Sequence, residues 1–191
     1  EGRADDPVVT LDAEGRNLTL AKKIPVPSLT LRARYENGSV ALREAGAILL
    51  GGTVSLRGDV RQIGSKPRMA LAATMRGVNL ALLQRALGST VAMTGQADGT
   101  ATIEGPAESP VIRGALNAAG GVEKHPASLR ASLEMKDGAI VFPSIDLSIL
   151  STDLAGRGRI TLPAAKKPGS VSLNATATKI DLRTLNTAAG L

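Results

Sequence analysis

In Leu129-Arg130-Ala131-Ser132-Leu133-Glu134-Met135-Lys136 apolar and polar residues alternate without a break. That period of two belongs to a strand with one sheltered face and one wet face, because a helix would scatter the same residues around its whole circumference. Asp137-Gly138 follows, and this dipeptide supplies the positive backbone dihedrals of a tight hairpin turn. The alternation then resumes as Ile140 and Phe142, and continues as Ile145, Leu147 and Ile149. The stretch is a β-hairpin. Its side-chain phase slips by one beside Pro143, which cannot donate to a ladder, so a bulge or a bend toward a sheet edge is expected there.

The hairpin has a copy 100 residues earlier. Leu29, Leu31, Ala33, Tyr35, Asn37, Gly38, Val40 and Leu42 stand against Leu129, Ala131, Leu133, Met135, Asp137, Gly138, Ile140 and Phe142. Further on, Gly52, Val54 and Leu56 match Gly158, Ile160 and Leu162 at an offset of 106, which places extra residues in the second copy after its hairpin. Met69, Leu71, Ala73, Val78 and Leu80 match Val171, Leu173, Ala175, Ile180 and Leu182 at 102, and Leu11, Ala13, Leu18 and Leu20 precede Leu71, Ala73, Val78 and Leu80 by 60. The reading is one supersecondary unit used twice. It divides the chain into the tail of an earlier unit (1–28), unit one (29–88), intervening strands (89–128) and unit two (129–191). The chain starts at Glu1 rather than methionine, and is read as a segment of a longer protein.

The remaining stretches follow the same logic. Residues 9–13 form a strand, 22–28 a loop around Pro25 and Pro27, 47–60 one strand, and 69–75 another. Asn79 caps a helix carrying Leu80, Leu83 and Leu87 on one side, with Gly88 placed to stop it. A long strand covers 91–104, a short one 111–117, and 120–128 is a loop. Asp181 caps a second short helix through Leu182 and Leu185. The fold class is therefore mainly β: an elongated, repeat-containing, largely antiparallel sheet, curved or groove-like, with two short helices.

Composition narrows the function classes. Only two residues of 191 are aromatic, Tyr35 and Phe142, while glycine numbers 21. A β protein almost without rings points to a thin or open sheet packed by small aliphatics rather than a sandwich filled by large side chains. The absence of cysteine removes disulfides and thiolate metal sites. The formal charge of +6 is spread as single residues such as Arg32, Arg34, Arg57 and Arg130. Without a clustered basic patch or stacking platforms, nucleic acid is not the expected partner. The longest apolar run, near 45–52, falls far short of the ~20 residues that span a bilayer. The one histidine, His125, is read as a loop residue with no second histidine or cysteine to build a triad or metal site. Asp137, Asp146 and Asp153 read as turn or solvent-face residues, and the Gly-Gly and Gly-Arg-Gly pairs lack the context of a phosphate loop. No enzyme, cofactor or metal is expected.

Several phrases carry a family resemblance: Gly77-Val78-Asn79-Leu80-Ala81-Leu82-Leu83, Met93-Thr94-Gly95-Gln96-Ala97-Asp98-Gly99, Pro110-Val111-Ile112-Arg113-Gly114, Met135 through Phe142, and Leu154-Ala155-Gly156-Arg157-Gly158-Arg159-Ile160. Together with the closing 173–185 they resemble the AsmA-like superfamily, without singling out one of its members. The resemblance implies a periplasmic segment, tethered to the inner membrane through an anchor outside it, of a protein serving outer-membrane biogenesis. On that reading Leu129, Leu133, Met135, Ile140, Phe142, Leu147 and Ile149 line an apolar groove for phospholipid acyl chains. The alternative is a non-enzymatic scaffold in which the same faces close on each other and a partner, such as an outer-membrane assembly protein, binds loops or sheet edges.

Overall fold

The structure, a computed structural model, describes residues 7–20, 24–161 and 169–180. Eleven strands follow one another: β1 (Val9–Leu20), β2 (Ile24–Glu36), β3 (Ser39–Leu49), β4 (Gly52–Arg61), β5 (Arg68–Asn79), β6 (Met93–Pro106), β7 (Val111–Val122), β8 (His125–Lys136), β9 (Ala139–Ile149), β10 (Thr152–Thr161) and β11 (Ser170–Lys179). Each pairs antiparallel with the next, giving one sheet in sequence order from β1 to β11. The sheet is open, with β1 and β11 as its edges. The helix α1 (Leu80–Leu87) is the only one among the described residues. The second expected helix lies on residues outside them.

The turns explain both what the sequence displays and what it conceals. Asn37-Gly38 and Asp137-Gly138 have positive φ at both residues, as a two-residue hairpin requires. The same geometry recurs at Leu50-Gly51, where only the second residue is a turn former, and at Glu123-Lys124 and Leu150-Ser151, where no glycine, asparagine or aspartate announces it. Consequently the stretch expected as one strand over 47–60 is two, split at Leu50-Gly51. The loop expected over 120–128 is the end of β7, a turn and the start of β8, and His125 is a strand residue opposite Val122. The loop expected over 22–28 gives way to β2 from Ile24. Pro25 and Pro27 are accommodated there because β2 pairs with β3 only from Ser28 onward, so this part of β2 is a local edge.

The repeat is visible in the ladders. Between β2 and β3 the register shifts after Arg32, and β3 carries extra residues between Leu42 and Ala45. Between β8 and β9 it shifts after Ser132, with the extra residues of β9 lying between Phe142 and Ile145. These are the same bulge 100 residues apart, and Pro143 sits within it rather than at a sheet edge. The offset stays at 100 through the following strand, since Gly58 faces Leu42 as Gly158 faces Phe142. The match at 106 is thus replaced. It rises to 102 only on β11, where Leu173 faces Gly158 as Leu71 faces Gly58. One local difference has a steric reason. A Cβ at Gly52 would lie 2.5 Å from the Arg76 carbonyl oxygen, whereas Thr152 at the matching position has a side chain. Beside it the β10–β11 ladder shifts register at Asp153/Leu154.

Very little of the chain is enclosed. Its accessible surface of 13134 Å² is about one and a half times the ~8,500 Å² expected of a compact monomer of 19.5 kDa. The buried apolar residues among those described are Val26, Leu50, Val78, Ala97, Ala131 and Ala139. Val78 and Ala97 face each other across β5 and β6, just before α1 leaves the sheet. Asn79 caps that helix, its side-chain oxygen accepting from the Leu82 N–H at 3.0 Å. Gly88 ends it in the left-handed conformation.

Candidate functional site: an uncovered apolar face

Residues opposite one another in a ladder share a face, so the registers can be read across the whole sheet. One row runs Leu11, Ala33, Leu42, Gly58, Leu71, Ile103, Ile112, Met135, Ile140, Ile160, Val171, one residue from each of the eleven strands, and none is polar. A parallel row over seven strands is Val78, Ala97, Ala118, Leu129, Leu147, Leu154, Ala177. At ~4.8 Å per strand the first row spans on the order of 50 Å. Single-residue alternation in eleven strands thereby becomes one continuous apolar surface.

The seven residues named from the sequence all stand on this surface. Leu133 faces Gly114, Leu129 faces Ala118 and Leu147, Met135 faces Ile112 and Ile140, Phe142 faces Gly158, and Ile149 faces Ala127 and Thr152. Each is half-buried. No second sheet lies over them among the described residues. Toward the sheet edges exposure rises, to 49% at Leu11 and 63% at Leu173. What the sequence reading missed is the extent of the surface, because it named one hairpin and the other nine strands contribute as much. The signal was present as alternation in every strand. Only the registers join those alternations into rows.

Glycine on this face gives neighbouring side chains somewhere to lie. The position a Cβ would take at Gly99 is 3.4 Å from the Met75 Cε and 3.7 Å from the Leu116 Cδ1. At Gly158 it is 3.4 Å from the Leu173 Cδ1 and 3.8 Å from the Ile145 Cδ1. Long aliphatic side chains therefore fold down over glycines on adjacent strands. This accounts for a sheet that shelters its apolar residues partly by itself, with scarcely a ring to fill space between layers.

The ion pairs lie on the opposite face. Arg32 bridges three strands, to Asp12 at 3.5 Å and Glu44 at 3.2 Å, and Arg113 does the same with Glu134 at 3.5 Å and Glu104 at 3.9 Å. All are well exposed, so each contributes little to stability. A depression of about 910 Å³ is lined by Asp98, Asn117, Arg130, Asp146 and Ser148 of the polar phase together with Leu129, Leu147 and Leu154 of the second apolar row. Near α1 a second cavity of about 700 Å³ lies among Pro25, Pro27, Leu50, Leu82 and Ala86.

The described residues hold no cluster of histidine, aspartate or glutamate suited to a metal ion. His125, half-buried opposite Val122, stands at the rim of the apolar face. What this arrangement offers chemically is a long water-excluding surface with its charges on the far side. No protein-family model matches the chain, and neither does any curated protein or solved structure.

Proposed function

We propose that this chain is a periplasmic segment of an AsmA-like protein tethered to the inner membrane, and that its apolar face seats phospholipid acyl chains during lipid transport in outer-membrane biogenesis. The supporting observation is the unbroken apolar row across all eleven strands, left without a covering layer among the described residues. A chain sliding along a surface needs continuity, since one charged or deeply polar step would arrest it. Full removal of a methylene from water contributes about 0.8 kcal/mol, so one-sided contact contributes roughly 0.4 kcal/mol. Over ~15 methylenes that reaches ~6 kcal/mol, enough to hold an acyl chain and weak enough to release it.

The absence of cysteine makes a direct test simple. Leu129→Cys and Arg130→Cys place a fluorophore on adjacent residues of β8 that point to opposite faces. Phospholipid brominated along its acyl chains is expected to quench the label at 129 and leave the label at 130 unchanged. Equal quenching at both positions, or at neither, removes the acyl-chain seat.

A further inference from the structure

The bulge shared by the two units is accompanied each time by a depression with the same lining. In unit one residues 41–43, 57–59, 70 and 72 line it, joined by Leu71, Thr102 and Glu104. In unit two it is lined by 141–143, 157–159, 172 and 174, at the offsets of 100 and 102 that the ladders show. The register explains the opening. Gly156 faces Ile145 and Gly158 faces Phe142, so Arg157 stands opposite the extra residues Pro143 and Ser144 of the bulge.

The walls of the two depressions differ. In unit one Arg57 faces Ala72 and Asp59 faces Ala70, which has Glu104 on its other side, so charges of both signs meet there. In unit two Arg157 faces Asn174 and Arg159 faces Ser172. Arginine thus stands at the place of Asp59, and an amide and a hydroxyl at the places of two alanines. Four donors form a block across one ladder, around a space of about 220 Å³. A Cβ at Gly156 would lie 2.7 Å from the Asn174 carbonyl oxygen, and one at Gly158 3.3 Å from that of Ser172. The two strands approach closely because neither glycine carries a side chain.

Elsewhere on this side of the sheet Arg32 and Arg113 each hold two carboxylates. Among the described residues no carboxylate lines the unit-two depression, and neither Arg157 nor Arg159 has a side-chain partner. Glu134 lies in the row Glu134–Val141–Arg159–Ser172 and is held by Arg113 at 3.5 Å. Asp137, which shares a separate depression with Arg159, is accompanied there by Lys136.

We propose that Arg157, Arg159, Ser172 and Asn174 bind a tetrahedral oxyanion of the phosphate class, and that the matching place in unit one does not. Two guanidinium groups about 7 Å apart along the strand present forked N–H pairs that fit phosphate oxygens. The Ser172 hydroxyl and the Asn174 amide donate from the facing strand. An anion between the arginines also relieves the repulsion of like charges on one face. Gly156-Arg157-Gly158 lies within β10, so these donors are side chains across a ladder rather than the backbone of a phosphate loop. They point away from the apolar rows, so the site does not rest on the acyl-chain reading. All four belong to the β10–β11 ladder, which makes the block independent of what neighbours β11.

Inorganic phosphate is the first probe, titrated at constant ionic strength into the isotope-labelled chain and followed by nuclear magnetic resonance. Saturable shifts are expected at the amides of 157, 159, 172 and 174, and none at 57, 59, 70 and 72. Arg159→Asp, which installs the unit-one residue, should weaken binding at least tenfold, as should the milder Arg157→Gln, while Arg57→Gln leaves it unchanged. Equal shifts in both units, shifts that chloride reproduces, or unchanged affinity in either unit-two variant overturns the proposal. The titration of the parent chain needs no variant to fold. Vesicles of phosphatidic acid and of phosphatidylcholine then distinguish the source. Sedimentation with phosphatidic acid alone, lost in Arg157→Gln and kept in Arg57→Gln, assigns the phosphate to a lipid headgroup. Saturable phosphate binding without sedimentation assigns it to a soluble ligand.

Discussion

Lys124 and Gly138 occupy the same backbone conformation, φ 72° in each, in turns of the same kind. An L side chain there costs about 1–2 kcal/mol relative to glycine through contact with its own backbone. The two positions therefore invite opposite experiments. Gly138→Ala places its Cβ in open space, so the whole loss, about 1 kcal/mol, is conformational. Lys124→Gly is exposed and should gain a similar amount less the added entropy of the unfolded chain. Denaturant midpoints of the two variants should move in opposite directions, and movement in one direction would exclude this account of the turns. Gly120 is a different case. Its Cβ would run into the Thr94 carbonyl oxygen across the ladder, so Gly120→Ala should cost about 2 kcal/mol or more through forced strand separation. An unchanged melting midpoint would show that the ladder can give way there.

At the scale of elements, the legibility of the fold followed the chemistry of its connections. Asn37-Gly38 and Asp137-Gly138 were readable because those residues adopt positive φ at low cost. Glu123-Lys124 was not. Its turn is held instead by contacts distant in sequence, with Glu123 N–H donating to the Ala92 carbonyl at 3.0 Å and Ala92 N–H donating to the Glu123 carboxylate at 2.9 Å. Leu50 likewise takes φ 51° while its side chain is buried and its carbonyl accepts from Asn79 N–H at 2.9 Å. Tertiary packing overrode local preference at both sites. Helix α1 was legible because both of its signals are local, the Asn79 cap and the Gly88 stop. Asn79→Ala should cost about 1 kcal/mol, and Asn79→Asp or Ser should recover most of it. If alanine is silent in thermal melts, the helix is held by its contacts with the sheet rather than by its cap.

For the molecule as a whole, eleven strands in sequence order make a nearly one-dimensional array in which each strand meets its two neighbours. Stability is then a sum of ladder terms rather than the property of a central core. The small set of buried residues agrees with this. So does the absence of any layer over the apolar face among the described residues, and the central claim is that this face works as an open surface for acyl chains. Leu133 lies within it opposite Gly114, and Ser132 next to it points to the other side. On an open face the guanidinium of Leu133→Arg can swing into solvent, whereas in a closed core it would be buried without a partner at a cost of several kcal/mol. The decisive measurement is native mass spectrometry for co-purifying phospholipid, alongside circular dichroism melting, on the parent chain, Leu133→Arg and the control Ser132→Arg. The account requires a cooperative melt in all three, with bound phospholipid in the parent and control and a marked loss in Leu133→Arg. Unfolding of Leu133→Arg alone, or phospholipid undiminished in a normally folded Leu133→Arg, would contradict it.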